Sequence, residues 1–480
     1  MLNHYARVGL AILLSQASAY DPIAGYIPGT DVLDHGNIDL DQAALEKSIG
    51  GKTVAAFEEG KAIYENGGNS KSVATITFDA ATTSDIAKNT VFSGVGVGGT
   101  VVTATAYDTY LTGATSIVLK YSPGTCLVGS LANVTVTDGC FVLDGTVTDG
   151  KTSRDYTYAL TDNKAKRTLK GFSTAVESKM SGETHANYFK DFYGVYDYAD
   201  QIVTAAFDGI STIMPSFNSD YSVIGFDGRE QIIKKGIVYM NVFMYAMHEF
   251  EASVEKCVPG VAFDQEQAVH AWDEGVAFFV GNLAGSTGED NGKLVYALGN
   301  KRCKDFGTCG ASGTEKVGLG KVNIDLTALF NSGRDELNAG DCVAATATKD
   351  TIEDLMYIPI IQGTLKYAYK GENGGDEKTV AEGTAFGLAV VGRINAASAK
   401  SARTIFNNMR PGVTTISASA VKDAFESVYD KLNISCEDVG GLIDKETGTY
   451  YPGMEPCVTV KTCTDRARGP KSDFTDPSSK

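Results

Sequence analysis

Histidine is scarce in this chain, five in 480 residues, and the 42 basic residues are outnumbered by 59 acidic ones. A net charge of −17 argues against nucleic acid as a partner and favours cations as ligands, although solubility alone would account for such a surface. So few histidines exclude a His-rich catalytic zinc centre, and neither His-Glu-x-x-His nor Gly-x-Ser-x-Gly occurs. Long apolar runs are missing too. The run at residues 8–14 is too short to span a bilayer, and the C-terminus lacks the hydrophobic tail of a lipid-anchor signal. With Arg7 before that run and Ala17-Ser18-Ala19 after it, residues 1–19 read as a secretory signal and Tyr20 as the first mature residue. The expectation is a soluble exported protein, secreted, periplasmic or at the cell surface, and not an enzyme.

What the chain does have is a phrase repeated three times. Glu59-Gly60-Lys61-Ala62, Glu274-Gly275-Val276-Ala277 and Glu382-Gly383-Thr384-Ala385 share Glu-Gly-x-Ala. Each lies in a segment that reads as helix, residues 53–66, 265–283 and 377–397. A helical glycine costs about 1 kcal/mol against alanine, so three need a reason. Close helix–helix approach is the plainer one, and room for an inward carboxylate the sharper. The segment from residue 231 through Glu274 resembles that from residue 351 through Glu382, which predicts a duplicated helical hairpin.

The fold expected is mainly α, built of duplicated antiparallel hairpins or bundles with a small inserted β domain. Its divisions are a signal (1–19), an N-terminal helical segment (20–71), a β-rich insertion (72–163), a helical domain with the repeat (164–457) and a disordered tail (458–480). In the insertion, residues 73–78, 101–107, 116–121, 134–136 and 156–159 read as strands, and Asp138-Gly139 and Asp144-Gly145 as turns. Nine cysteines in an exported chain imply disulfides. Short separations suggest Cys126–Cys140, Cys303–Cys309 and Cys436–Cys457 and leave Cys257 with Cys342. Spacing alone does not fix the connectivity. Asn133 and Asn433 head glycosylation sequons.

The chemistry converges on one hairpin. His248 with Glu251, three apart, and His270 with Glu274, four apart, each share a helical face. Antiparallel helices carrying such pairs can build a metal site, with Asp273 beside them. Glu59 and Glu382 are the motif's other carboxylates. Tyr188, Tyr193 and Tyr196, interleaved with aspartates, suit a hard cation such as Fe(III), though an aromatic stripe is more often core. Arg229, at a helix start after Asp227-Gly228, suits an anion such as carbonate.

The run from His270 through Trp272 to Gly281, with residues 294–298 and 301–310, resembles the low-iron-inducible periplasmic proteins of algae. These Fe-assimilation-domain proteins are also described as high-CO2-inducible and are related to the phytotransferrins. The resemblance spans about residues 40–457. It implies extracellular capture of ferric iron for uptake, in phytotransferrins with a synergistic carbonate, and His–Glu patterns as iron ligands, here His270 with Glu274. Delivery would pass to a membrane reductase, a transporter or an endocytic receptor. A second resemblance, Ala246-Met-His248-Glu-Phe-Glu251, is to the Gly-x-His-x-x-Glu pattern of imelysin-like proteins, with Ala246 at the glycine position. The alternatives are a secreted imelysin-like metal-dependent hydrolase and a structural cell-surface protein.

Overall fold

The computed structural model describes residues 20–457 except 68, 71–72, 122–125, 127, 131–133, 137–138, 160–166, 258–263 and 289–290. The signal, the tail and Asn133 lie outside the described residues. Two helices, Ile38–Ile49 and Val54–Asn66, pack together before the chain enters the β insertion. The second is started by Thr53, whose side chain accepts from the Ala56 amide, using one of the orphan N–H groups of a first turn.

The insertion holds strands β1 Val73–Phe78, β2 Val91–Val95, β3 Val101–Ala106, β4 Ser116–Tyr121, β5 Val128–Ser130, β6 Val134–Val136, β7 Asp144–Thr148 and β8 Ser153–Tyr158. Six of them close an antiparallel barrel in the order β1-β4-β3-β2-β7-β8, while β5 and β6 pair separately. Inward residues such as Ile76, Phe92, Ile117, Leu119 and Val147 form its own small core. Strands β2, β5 and β7 escaped the sequence reading. Asp144-Gly145 is no turn but the start of β7, pairing with Thr157 and Tyr156. Glycine is tolerated there because Val142 closes on it, 3.0 Å from where a Cβ would stand.

Beyond the barrel the body is helical, from Leu169 to Val439. A continuous helical rod runs from Phe226–Gly236 through a π-helical stretch, Ile237–Val242, into Phe243–Glu255. Its last part pairs with the helix Gln265–Val280, and Ile358–Glu372 pairs likewise with Glu377–Ala397. The two hairpins meet where Glu377–Ala397 lies on Phe226–Gly236. All three motif glycines sit at close approaches. A Cβ would come 2.4 Å from Ile49 Cγ2 at Gly60, 2.9 Å from Phe250 at Gly275 and 2.6 Å from Met409 at Gly383. Packing therefore explains the glycines. Among the described residues four disulfides form, Cys126–Cys140, Cys257–Cys342, Cys303–Cys309 and Cys436–Cys457. No described helix is long and apolar enough to cross a membrane.

Candidate metal centre

Asp264 starts the helix Gln265–Val280 by accepting from the Gln267 amide. One turn in, His270 points along the same face as Glu274, with Nε2 3.0 Å from Oε1. The third group comes from far upstream. His35, in the short helix Leu33–Gly36, brings its Nε2 directly onto the same Glu274 oxygen. The two imidazoles stand edge to face with centroids 5.4 Å apart. Ligand atoms of His35, His270 and Glu274 all lie within 4.8 Å of one another, the one such group among the described residues.

Neighbouring groups set the orientation. The Thr30 hydroxyl is 2.7 Å from Asp273 Oδ2 and 2.9 Å from His270 Nδ1. Its proton goes to the carboxylate, so it accepts from Nδ1–H. His270 Nε2 is thereby turned onto the Glu274 carboxylate oxygen, with room between the two for a proton or a cation. Asp273 stands outside the three-residue group and orients it through Thr30. It is fully buried and also accepts from Tyr26 and from the Thr30 amide.

The electrostatics are uneven. Burial alone would raise the Glu274 carboxyl, but hydrogen bonds from His270 and His35 and the charges of His35 and Arg167 hold it well below the usual carboxylate range. Arg167 approaches Glu274 to 3.9 Å while lying over the Phe278 ring. Glu249, from Phe243–Glu255, behaves oppositely. Burial first, then the charge of its hydrogen-bonded neighbour Glu274, push it well above the usual carboxylate range, which favours its protonated form. Next to it, Lys179 reaches the Tyr245 hydroxyl at 2.5 Å. The cluster is reached past His270, whose side chain is 40% exposed.

The remaining sequence candidates are placed elsewhere. His248 pairs with Glu183 at 2.5 Å and Glu251 with Lys349 at 2.9 Å. The inward position of their helix belongs to Glu249, because one residue turns a helix by about 100°. Glu59 is exposed and accepts from Ser48, and Glu382 is held by Lys235 at 3.0 Å. The tyrosines are packing groups. Tyr193 donates to the Leu388 carbonyl at 2.7 Å, Tyr196 to Asn187 at 2.8 Å, and Tyr188 lies against His185 and Arg393. Arg229 is no anion site beside the cluster. It donates to the Ala206 and Phe207 carbonyls at the end of the helix Tyr198–Asp208 and stacks on Phe57 and Phe226, closing unpaired carbonyls that a helix C-terminus leaves. Asn433 is exposed, donating to Asp354 at 2.7 Å.

The family model for low iron-inducible periplasmic proteins matches residues 153–448, more than half of the chain. The chain belongs to that family. No curated protein matches it, and no solved structure matches it. As a low iron-inducible periplasmic protein it is a secreted or periplasmic chain tied to iron. The matched span contains Arg167, Glu249, His270 and Glu274, while Thr30 and His35 precede it. His35, Arg167 and Glu249 are the members that sequence reasoning missed. For His35 the signal was there in the rarity of histidine, but nothing local in its segment ties it to the distant hairpin of His270 and Glu274.

Proposed function

We propose that this low iron-inducible periplasmic protein captures Fe(III) for assimilation, binding it between His35, His270 and Glu274, with Glu249 giving up its proton to join them. One observation carries the reading: an oriented imidazole nitrogen and a second imidazole both face one carboxylate oxygen. A carboxylate and imidazole set suits iron among several transition metals, and the family's tie to low iron selects among them. Carbonate, if it completes the coordination, would be seated against Arg167 rather than Arg229. The chain binds and hands over instead of catalysing, and a membrane reductase, transporter or endocytic receptor would take the iron from it.

Titrating Fe(III), presented as a weak chelate, against the purified protein should give about one tight equivalent. His35→Ala and Glu274→Gln should each weaken it by roughly 10–100-fold, the range for groups that hold or support a metal, with circular dichroism unchanged. Iron binding like the parent's in both well-folded variants would place the site elsewhere. Comparing bicarbonate with carbonate-free buffer, in the parent and in Arg167→Gln, tests the anion. Equal affinities in the two buffers would remove carbonate from the scheme.

A further inference from the structure

We propose that Arg302, Lys366 and Lys370, gathered round the ring of Tyr367, form a binding site for an oxoanion, a phosphate or carboxylate group, on the second hairpin. On a chain of net charge −17, a place where cations outnumber carboxylates stands out. The Tyr367 ring centroid has Arg302 at 5.9 Å, Lys366 at 5.8 Å and Lys370 at 5.9 Å. Behind it the ring stacks on Phe386, which stacks in turn on Tyr239. Among the described residues, one buried carboxylate pairs with the group. Asp305 accepts from Lys366 at 2.8 Å and Lys445 at 2.7 Å, with Arg302 Nε at 3.3 Å.

Among the described residues, Asp305 is the one carboxylate in salt-bridge contact with any of Arg302, Lys366, Lys370 and Lys445. Arg302 is only 7% exposed, and its Nη1 has no hydrogen-bond partner, a costly state for a buried donor. Burial first, then repulsion from Arg302, push the Lys366 ammonium down to about 8, as expected where positive charge lacks compensation. Lys370 and Lys445 are exposed, which opens the cluster to solvent on that side. A guanidinium fork with two ammonium groups is a set that phosphate and carboxylate oxygens satisfy. The third motif copy holds the floor, since a Cβ on Gly383 would stand 3.1 Å from that of Tyr367. Glu382 does not neutralise the group, because Lys235 occupies it.

The test is calorimetric titration of the whole, iron-free protein with inorganic phosphate at an ionic strength fixed by chloride. A second arm uses malonate, and the tighter of the two arms tells phosphate from carboxylate. One saturable site is expected. The double change Arg302→Met with Lys366→Met should weaken it at least tenfold. Lys370→Ala, a surface change that spares the packing, should weaken it several-fold, so the proposal stands or falls even if the double variant misfolds. Lys151→Ala, an exposed lysine of the barrel, should leave anion binding as it was. Binding that survives Lys370→Ala undiminished, that vanishes in Lys151→Ala, or that chloride competes away at equal concentration would overturn the proposal. Iron titration of Lys370→Ala, expected to match the parent, separates this outcome from any failure of the iron site.

Discussion

At the scale of single residues, the candidate centre holds two glutamates with opposite settings. Its neighbours hold Glu274 towards the ionised form, while burial and the charge of Glu274 push Glu249 towards the protonated one. On the proposed reading, a cation arriving between the histidines would disfavour a proton on Glu249, so binding should release protons and affinity should rise with pH. Acid acts the other way by keeping Glu249 neutral and by competing for the imidazole nitrogens. Glu249→Gln should flatten the pH dependence of iron affinity by about one proton, measured as the slope of log affinity against pH. An unchanged slope would show that the released proton comes from another group. Since Tyr188, Tyr193 and Tyr196 are engaged in packing, the ferric protein should also lack an intense phenolate-to-iron absorption band. A strong visible band would bring a tyrosine into the coordination.

A second carboxyl bears on stability. Burial first, then the charge of Glu353, raise Glu251 from 4.5 to about 7. Between those values the folded state binds more protons than the unfolded, so this contribution is full below 4.5 and is lost as pH rises towards 7. Lys349, 2.9 Å away, moderates the loss. Glu251→Gln should therefore show a smaller fall in Tm across pH 4.5–7 than the parent. Identical Tm profiles would mean that the carboxyl does not titrate there.

At the scale of helices, the three copies of Glu-Gly-x-Ala share a packing role and differ in what their glutamates meet. Gly275→Ala would drive a methyl into the rigid Phe250 ring, where three ring atoms lie within 3.0 Å. It should cost about 1–3 kcal/mol and weaken iron binding, because Phe250 and Glu249 are neighbours on one helix. At Gly383 the nearest atom is the mobile end of Met409, so Gly383→Ala should cost less and leave iron untouched. Chemical denaturation and iron titration of both variants check this, and equal effects from the two would contradict it.

The hairpins were legible in the sequence because 3.6-residue periodicity and the repeated motif are local signals, and so was the His270–Glu274 pair. The rest depended on tertiary placement. His35 reaches the cluster only through the packing of distant segments, and Glu249 replaces His248 and Glu251 through helix rotation. Arg229 carried the local marks of an anion site, but its side chain turns back to the end of the preceding helix. Strands β2 and β7 hid because each carries a glycine, Gly94 or Gly145, where the reading expects a strand former.

At the scale of the molecule, covalent links tie the helical body to itself. Cys257–Cys342 spans 85 residues and Cys303–Cys309 only 6. In the chain-entropy account, closing the long loop stabilises by roughly 4–5 kcal/mol and the short one by about 2. Replacing Cys257 and Cys342 together with serine should lower the denaturation free energy more than the same change at Cys303 and Cys309. The reverse order would indicate that native packing at the short link outweighs loop closure.

The barrel also touches the metal centre at one remove. Lys120 of β4 bridges to Asp34 at 2.6 Å, and Asp34 adjoins His35. Thr30 and His270, which must meet for the cluster to be oriented, are 240 residues apart, with the whole barrel strung between them. On the proposed reading, cargo loading would thus be an act of the finished molecule. A chain not yet folded would carry every proposed ligand and yet have no cradle to hold iron. Bound metal would therefore serve as a certificate of completed folding, readable by any receptor that accepts only the loaded form.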